Sequence, residues 1–191
     1  EERTVRSGAK TLDDLAALAT AGSEAELAAR EADADGTALS DVVYTSGTTG
    51  LPKGVMLNHD MILRAAYASA YTRAFEDGRR ILFSLPMYHV FGYVECMIAC
   101  TFVGGAIIPH ITFDATQMIE AAERHRASEI VCVPMMTLKL LEIARQRSLN
   151  GGGFNSEHLI AMFNSGGASP PTIWQEIRDV LGAREVLTAY G

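Results

Sequence analysis

Cysteine is scarce in this chain, and Cys96, Cys100 and Cys132 all sit inside apolar runs, with no Cys-x-x-Cys and no histidine at metal-ligand spacing. That pattern argues against zinc and against a disulfide framework, and predicts buried free thiols in a reducing, cytoplasmic compartment. Basic clusters are missing: 16 Lys and Arg face 23 Asp and Glu, for a net charge of −7. Nucleic acid and anionic membrane surfaces are therefore poor candidate partners. Long apolar runs are limited to Val90–Pro109, where Glu95 interrupts the stretch and Gly104-Gly105 end any helix before Ile107-Ile108. A buried helix followed by a buried strand is predicted there, not a membrane span. Glu1-Glu2-Arg3 offers neither an initiator Met nor the apolar region of a signal peptide, and the chain reads as beginning mid-protein. Also absent are the Gly-x-Ser-x-Gly elbow of serine hydrolases and the Gly-x-Gly-x-x-Gly turn of dinucleotide enzymes.

What is present suits one well-buried domain: 191 residues, 48% apolar and 20% charged. Residues 1–40 form an acidic lead-in. Within it, Thr11 with Asp14 and Ser23 with Glu26 fit capping boxes, so two short surface helices are predicted. From Asp41 onward short apolar runs alternate with amphipathic stretches. Strands are predicted at Val42–Thr45, Ile81–Leu85, Ala106–Pro109, Glu129–Val133, Leu159–Phe163 and Glu185–Ala189. Helices are predicted from Asn58 to about Phe75, near Val90, and from Asp114, Pro134 and Pro170. In the last helix Ile173, Trp174, Ile177, Val180 and Leu181 share a face and Gly182 is the stop. The alternation predicts an α/β fold, a mostly parallel doubly wound sheet with helices on both faces.

Chemistry concentrates after the strands, where open α/β sheets bind ligands. Tyr44–Val55 carries the hydroxyls of Thr45, Ser46, Thr48 and Thr49, the glycines Gly47, Gly50 and Gly54, and Lys53. Close-approaching backbone amides, hydroxyls and an ammonium together neutralise a polyphosphate. A Walker A loop is excluded by spacing, because counting from Gly47 the second glycine falls on Pro52 and Gly54 follows Lys53. Asn164–Ser169 is a glycine-rich turn feeding a helix that starts at Pro170-Pro171, so free amides and a positive dipole end face the same edge. His89 lies in Leu85-Pro86-Met87-Tyr88-His89-Val90-Phe91-Gly92, after the Ile81 strand. His59, His110, His125 and His158 are scattered and read as structural or surface residues.

The order Ser-Gly-Thr-Thr-Gly, Leu-Pro-Lys-Gly at 46–54 resembles the phosphate loop of the adenylate-forming superfamily: acyl-CoA synthetases, aryl-CoA ligases, luciferases and peptide-synthetase adenylation domains. Over 41–191 the chain is most similar to the central nucleotide-binding portion of an AMP-forming fatty acid–CoA ligase. The resemblance implies that Thr45, Ser46, Thr48, Thr49 and Lys53 hold the β- and γ-phosphates of ATP while Gly47 and Gly50 permit the loop. It places Gly167, Ala168 and Ser169 against adenine, although Ser169-Pro170-Pro171 departs from the usual Pro-Leu after the alanine. Thr188, Ala189, Tyr190 and Gly191 form the matching tail, with Tyr190 stacking on the base. Lys53 and His89 carry the catalytic roles, His89 bordering the acyl site where amino-acid-activating relatives place an aspartate. The substrate implied is a carboxylic acid without an α-amino group, with ATP, Mg2+ and coenzyme A as partners. No residue of the chain is assigned as a metal ligand. Family members also carry a mobile C-terminal domain with a lysine needed for adenylation, so these residues are expected to form an inactive fragment of the larger AMP-binding domain. An aryl-CoA ligase, a non-catalytic nucleotide-binding module and an ADP-forming phosphotransferase remain as alternatives.

Overall fold

Ile81, Leu82 and Phe83 are fully buried, as a strand covered on both faces requires. A computed structural model, describing residues 11–45 and 50–189, places them in β3 (Arg80–Phe83), which is followed by β4 (Ala106–Pro109), β5 (Glu129–Cys132), β6 (Ala161–Asn164) and β7 (Glu185–Leu187). These strands make one parallel sheet in the order β4-β3-β5-β6-β7. The chain moves outward from β3 to β4, then returns to the other side of β3, which creates a topological switch point between β3 and β5. β3, β5 and β7 end one or two residues before their apolar runs do, β4 matches its run, and β6 begins two residues later and ends one residue later than predicted.

Alternation of side chains divides the core. Leu82, Ile130 and Met162 pack with Ile119, Leu140, Leu141, Ile173 and Ile177 on one face. On the other face Ile81, Phe83, Val131 and Phe163 pack with Cys96 and Cys100. The first face is covered by α5 (Ala115–Arg124), α6 (Pro134–Leu149) and α7 (Ile173–Glu176), which continues as a π-helix over Ile177–Leu181. The Asp114 carboxylate accepts from the amide of Gln117 at 2.8 Å and starts α5, while Gly182, at φ 68°, stops the last helix. All three cysteines are buried and free. Burial pushes their thiols upward, Cys132 to about 12.

Two sequence expectations are corrected here. The Val42 strand is not in the main sheet: β1 (Leu39–Thr45) pairs antiparallel with β2 (Lys53–Asn58), in a separate two-stranded ribbon. The connection 46–52 is too short for a parallel crossover, which needs a dozen or more residues, and this accounts for the antiparallel pairing of β1 with β2. The second lead-in helix begins earlier than Ser23. After α1 (Leu12–Ala16), where Thr11 and Asp14 do form the capping box, α2 (Ala21–Ala32) is capped at Thr20, whose amide donates to Ser23 Oγ at 3.0 Å. Ser23 thus does the work expected of an acid at the third helical position.

β2 passes directly into α3 (His59–Thr72), where Asn58 Oδ1 accepts from the Met61 amide at 2.8 Å. Ile62, Ala66 and Ala70 of α3 pack on Val94 and Ala99. Those partners lie on a π-helix (Phe91–Ile98) that continues into α4 (Ala99–Thr101), the helix predicted near Val90. Among the described residues no helix is long and apolar enough to cross a membrane.

Candidate active site

Between α3 and the π-helix, above the carboxyl ends of β3, β6 and β7, lies a cavity of about 770 Å³. Leu57, Met61, Ile62 and Ala65 form one wall. His89, Val90, Phe91, Val94 and Glu95 form the other, and Phe163 with Ser165–Ala168 and Ala189 closes the floor. Apart from His89, Glu95 and the Ser165 hydroxyl, the side chains lining it are apolar.

The residue types around His89 fix its position. The His89 amide donates to Pro86 O at 3.1 Å, and the amide of Phe91 donates to His89 Nδ1 at 3.1 Å. Nδ1 is therefore the acceptor, and in the neutral ring the proton sits on Nε2. Gly92 makes this turn possible, since a Cβ there would stand 2.5 Å from the Pro86 carbonyl oxygen. The floor is equally specific. Gly166 has φ 86°, and a Cβ on it would lie 3.2 Å from Val133, so this left-handed position selects glycine. Asn164, buried beneath the turn, accepts from Thr137 Oγ1 at 2.8 Å and donates to Ser169 Oγ at 2.9 Å. Ser165 Oγ donates to the Ala189 carbonyl and accepts from the Ala189 amide at 3.3 Å, clasping the tail of β7 to the floor.

Of the residues singled out in the sequence, His89, Gly167, Ala168 and Ala189 come together in this cavity. Thr188 lines a second cavity of about 340 Å³ beside it. Ser169 is held under the turn and does not line either cavity. Thr45, Gly50 and Lys53 are exposed at the loop end of the β1–β2 hairpin, with Thr45 opposite Lys53, and none of them lines the cavity. The expectation that the phosphate loop extends from a strand of the main sheet is thereby corrected, its hairpin lying outside that sheet. Ser46, Gly47, Thr48, Thr49, Tyr190 and Gly191 lie outside the described residues.

Sequence reasoning missed the polar cluster at the side of the cavity. Ser69 Oγ donates to the Glu95 carboxylate, and Arg73 Nη1 lies 3.5 Å from Glu95 Oε2. The same Nη1 donates to the Glu95 backbone carbonyl at 2.6 Å, which ties α3's end to the π-helix. Arg73 also pairs with Glu129 at the start of β5, and Arg79 Nε lies 3.4 Å from the other oxygen of Glu129. Burial pushes the Arg79 guanidinium down from its ordinary range, and the Glu129 carboxylate opposes that shift. Phe75 and Phe163 sandwich Arg73, their ring centres 4.5 and 4.6 Å from its guanidinium carbon. Glu95 was visible as an acid in an apolar run, but Ser69 and Arg73 carry no local signal.

Residues 2–191 match the family described as AMP-binding enzyme. The chain belongs to that family. It is 32% identical over 187 residues to the 3-[(3aS,4S,7aS)-7a-methyl-1,5-dioxo-octahydro-1H-inden-4-yl]propanoyl:CoA ligase of Mycobacterium tuberculosis, covering 98% of this chain and 34% of that protein. It is 28% identical over 159 residues to the mitochondrial medium-chain acyl-CoA ligase ACSF2 of Danio rerio, covering 79% and 25%. Among solved structures, O-succinylbenzoate coenzyme A synthetase (MenE) from Bacillus subtilis in complex with AMP superposes with a TM-score of 0.69 at 26% identity, covering 82% of this chain and 30% of that one. The same synthetase has been solved with ATP and magnesium ion. This AMP-binding enzyme chain spans about a quarter to a third of the length of these curated relatives. The five-stranded parallel sheet with its surrounding helices is the α/β architecture of adenylate-forming enzymes.

Proposed function

We propose that the whole protein is an AMP-forming acid–thiol ligase. In this reading the carboxylate of the acid attacks the α-phosphate of ATP and releases pyrophosphate, and the acyl group then passes to the thiol of coenzyme A as AMP leaves. The observation that carries it is the meeting of His89 and the bare backbone of Gly166–Ala168 in one cavity with apolar walls. The chemistry is mostly positioning and charge stabilisation. Gly167, Ala168 and the tail at Thr188–Gly191 receive the adenine. The hairpin loop of Thr45–Lys53 engages the β- and γ-phosphates, and Mg2+ carried on ATP would neutralise part of their charge. His89, with a proton on Nε2, faces the substrate carboxylate.

Leu57, Met61, Ile62, Val90 and Val94 suit a fatty acid, and the medium-chain ligase among the relatives supports the same choice. An aromatic acid is the second reading, favoured by the edge-to-face pair of Phe91 and Phe163 on the cavity wall, with ring centres 5.5 Å apart, and by the succinylbenzoate synthetase among the structural neighbours. An α-ammonium beside Val90 and Phe91 would lose its hydration without a partner, at a cost of several kcal/mol. Pyrophosphate exchange with the full-length protein tests the proposal. Exchange is expected only with a carboxylic acid present, and far more with simple acids than with their α-amino counterparts. ADP as the sole nucleotide product would overturn the ligase reading, while equal activity with amino acids would overturn the choice of acid.

A further inference from the structure

We infer that the cavity selects an acid whose apolar body ends in a neutral hydrogen-bond donor of the hydroxyl class, and that Glu95 is the residue that recognises it. The inference rests on reading the large cavity as the acid site. That cavity and the smaller one share Ala65, Glu95, Phe163 and Ala189 in their linings, so they adjoin, with Glu95 at the junction. On the large side its neighbours are Ile62 and Val94. On the small side they are Ser69, Thr72, Arg73 and Thr188. An apolar compartment thus opens onto a mixed one, where Phe163 and Leu187 also line the wall.

Ser69, Thr72 and Arg73 already spend their hydrogens within the protein. Ser69 Oγ donates to Glu95 and accepts from Arg73 Nη1 at 3.0 Å. Thr72 Oγ1 donates to Ala68 O at 2.8 Å. Arg73 Nε, Nη1 and Nη2 all donate within the protein, to Glu129, Ser69 and the Glu95 carbonyl. Glu95 Oε1 has no protein partner among the described residues, and its side chain is 27% exposed. Glu95 Oε1 is therefore an unshared acceptor at the junction, and a ligand group that meets it must donate. Charge narrows the choice further. Arg73 and Arg79 are balanced by Glu95 and Glu129. A hydroxyl keeps that balance and an ammonium breaks it. Glu95 follows His89 by six residues, roughly 9 Å along the axis at the helical rise of ~1.5 Å per residue, which separates the donor from the acid's carboxylate.

The test is pyrophosphate exchange by the full-length protein with matched acids, straight-chain and phenyl-bearing, over a range of lengths. Each is compared as the plain acid, the distal hydroxy acid, the oxo acid that only accepts and the amino acid with a distal ammonium. At one length the hydroxy acid is expected to exceed the plain acid in kcat/KM by about tenfold or more, the scale of a hydrogen bond to a charged group, with the oxo acid showing no gain. Glu95→Leu should abolish or reverse that ratio, and Glu95→Gln should reduce it. The ratio is taken within each variant, so a partly folded preparation does not distort it. A plain acid preferred at every length, an oxo or ammonium acid preferred over the hydroxy acid, or a hydroxy preference that survives Glu95→Leu overturns the inference while exchange itself upholds the ligase reading. Absence of exchange with every acid overturns both.

Discussion

Replacing Glu129 with Gln keeps the shape of a fully buried side chain and removes one charge from between two buried guanidiniums. Glu129 is 0% exposed, Arg73 5% and Arg79 4%. In the parent, one carboxylate oxygen takes the Nε and Nη2 hydrogens of Arg73 and the other faces Arg79 Nε at 3.4 Å. The amide oxygen of Gln can still accept from Arg73, but its NH2 group then faces Arg79, donor against donor. Breaking a buried pair in this way leaves uncompensated charge and costs about 3–5 kcal/mol. Urea unfolding followed by far-UV circular dichroism measures it, with Glu176→Gln as the control. Glu176 meets Arg145 at 2.7 Å on the surface, where solvent screens the pair, so its loss should move the midpoint far less. Adding Arg79→Met to Glu129→Gln should recover part of the loss, because the guanidinium that faced the new amide group is gone. A Glu129→Gln midpoint no lower than that of Glu176→Gln would refute the reasoning.

Gly92→Ala puts a methyl 2.5 Å from the Pro86 oxygen and 3.1 Å from the Leu85 oxygen. It should cost about 1–3 kcal/mol and slow exchange by displacing His89; a parent-like melting temperature and rate would contradict this. Lys53→Ala, at an exposed position, should change stability by no more than about 0.5 kcal/mol while raising the KM for ATP about tenfold or more. A lower melting temperature with an unchanged KM would make Lys53 structural. Because burial disfavours thiolate at Cys96, Cys100 and Cys132, iodoacetamide at pH 8 should leave them unmodified in the folded protein and label all three in urea. Mass spectrometry of the intact protein reads the outcome, and labelling of folded Cys132 would count against the described core.

The sequence made the main sheet legible from Ile81 onward because each of its strands is an apolar run bounded by turn residues, and Asp114 and Gly182 marked helix ends by local chemistry. Lys53–Asn58 stayed hidden as a strand because glycine interrupts it and its side chains do not alternate. Its partner β1 was seen but placed in the wrong sheet, since pairing direction depends on loop length and not on the strand's own residues. At the cavity, His89 and the Gly166–Ala168 turn could be found from local pattern. Ser69, Arg73 and Glu129 could not, because their meeting joins residues up to 56 apart in the chain, and only the tertiary fold brings a helix end, a π-helix and a sheet strand to one point.

No residue separates β2 from α3. Lys53 at one end of that continuous piece and Met61 with Ile62 beyond its bend are thus two ends of a single lever, with Asn58 capping the bend. The hairpin and the wall against which an acid would pack are joined without an intervening loop. Any such mechanical linkage must act in both directions: if an anion held at the hairpin tightens the cavity's grip on an acid, the acid tightens the hairpin's grip on the anion by the same factor.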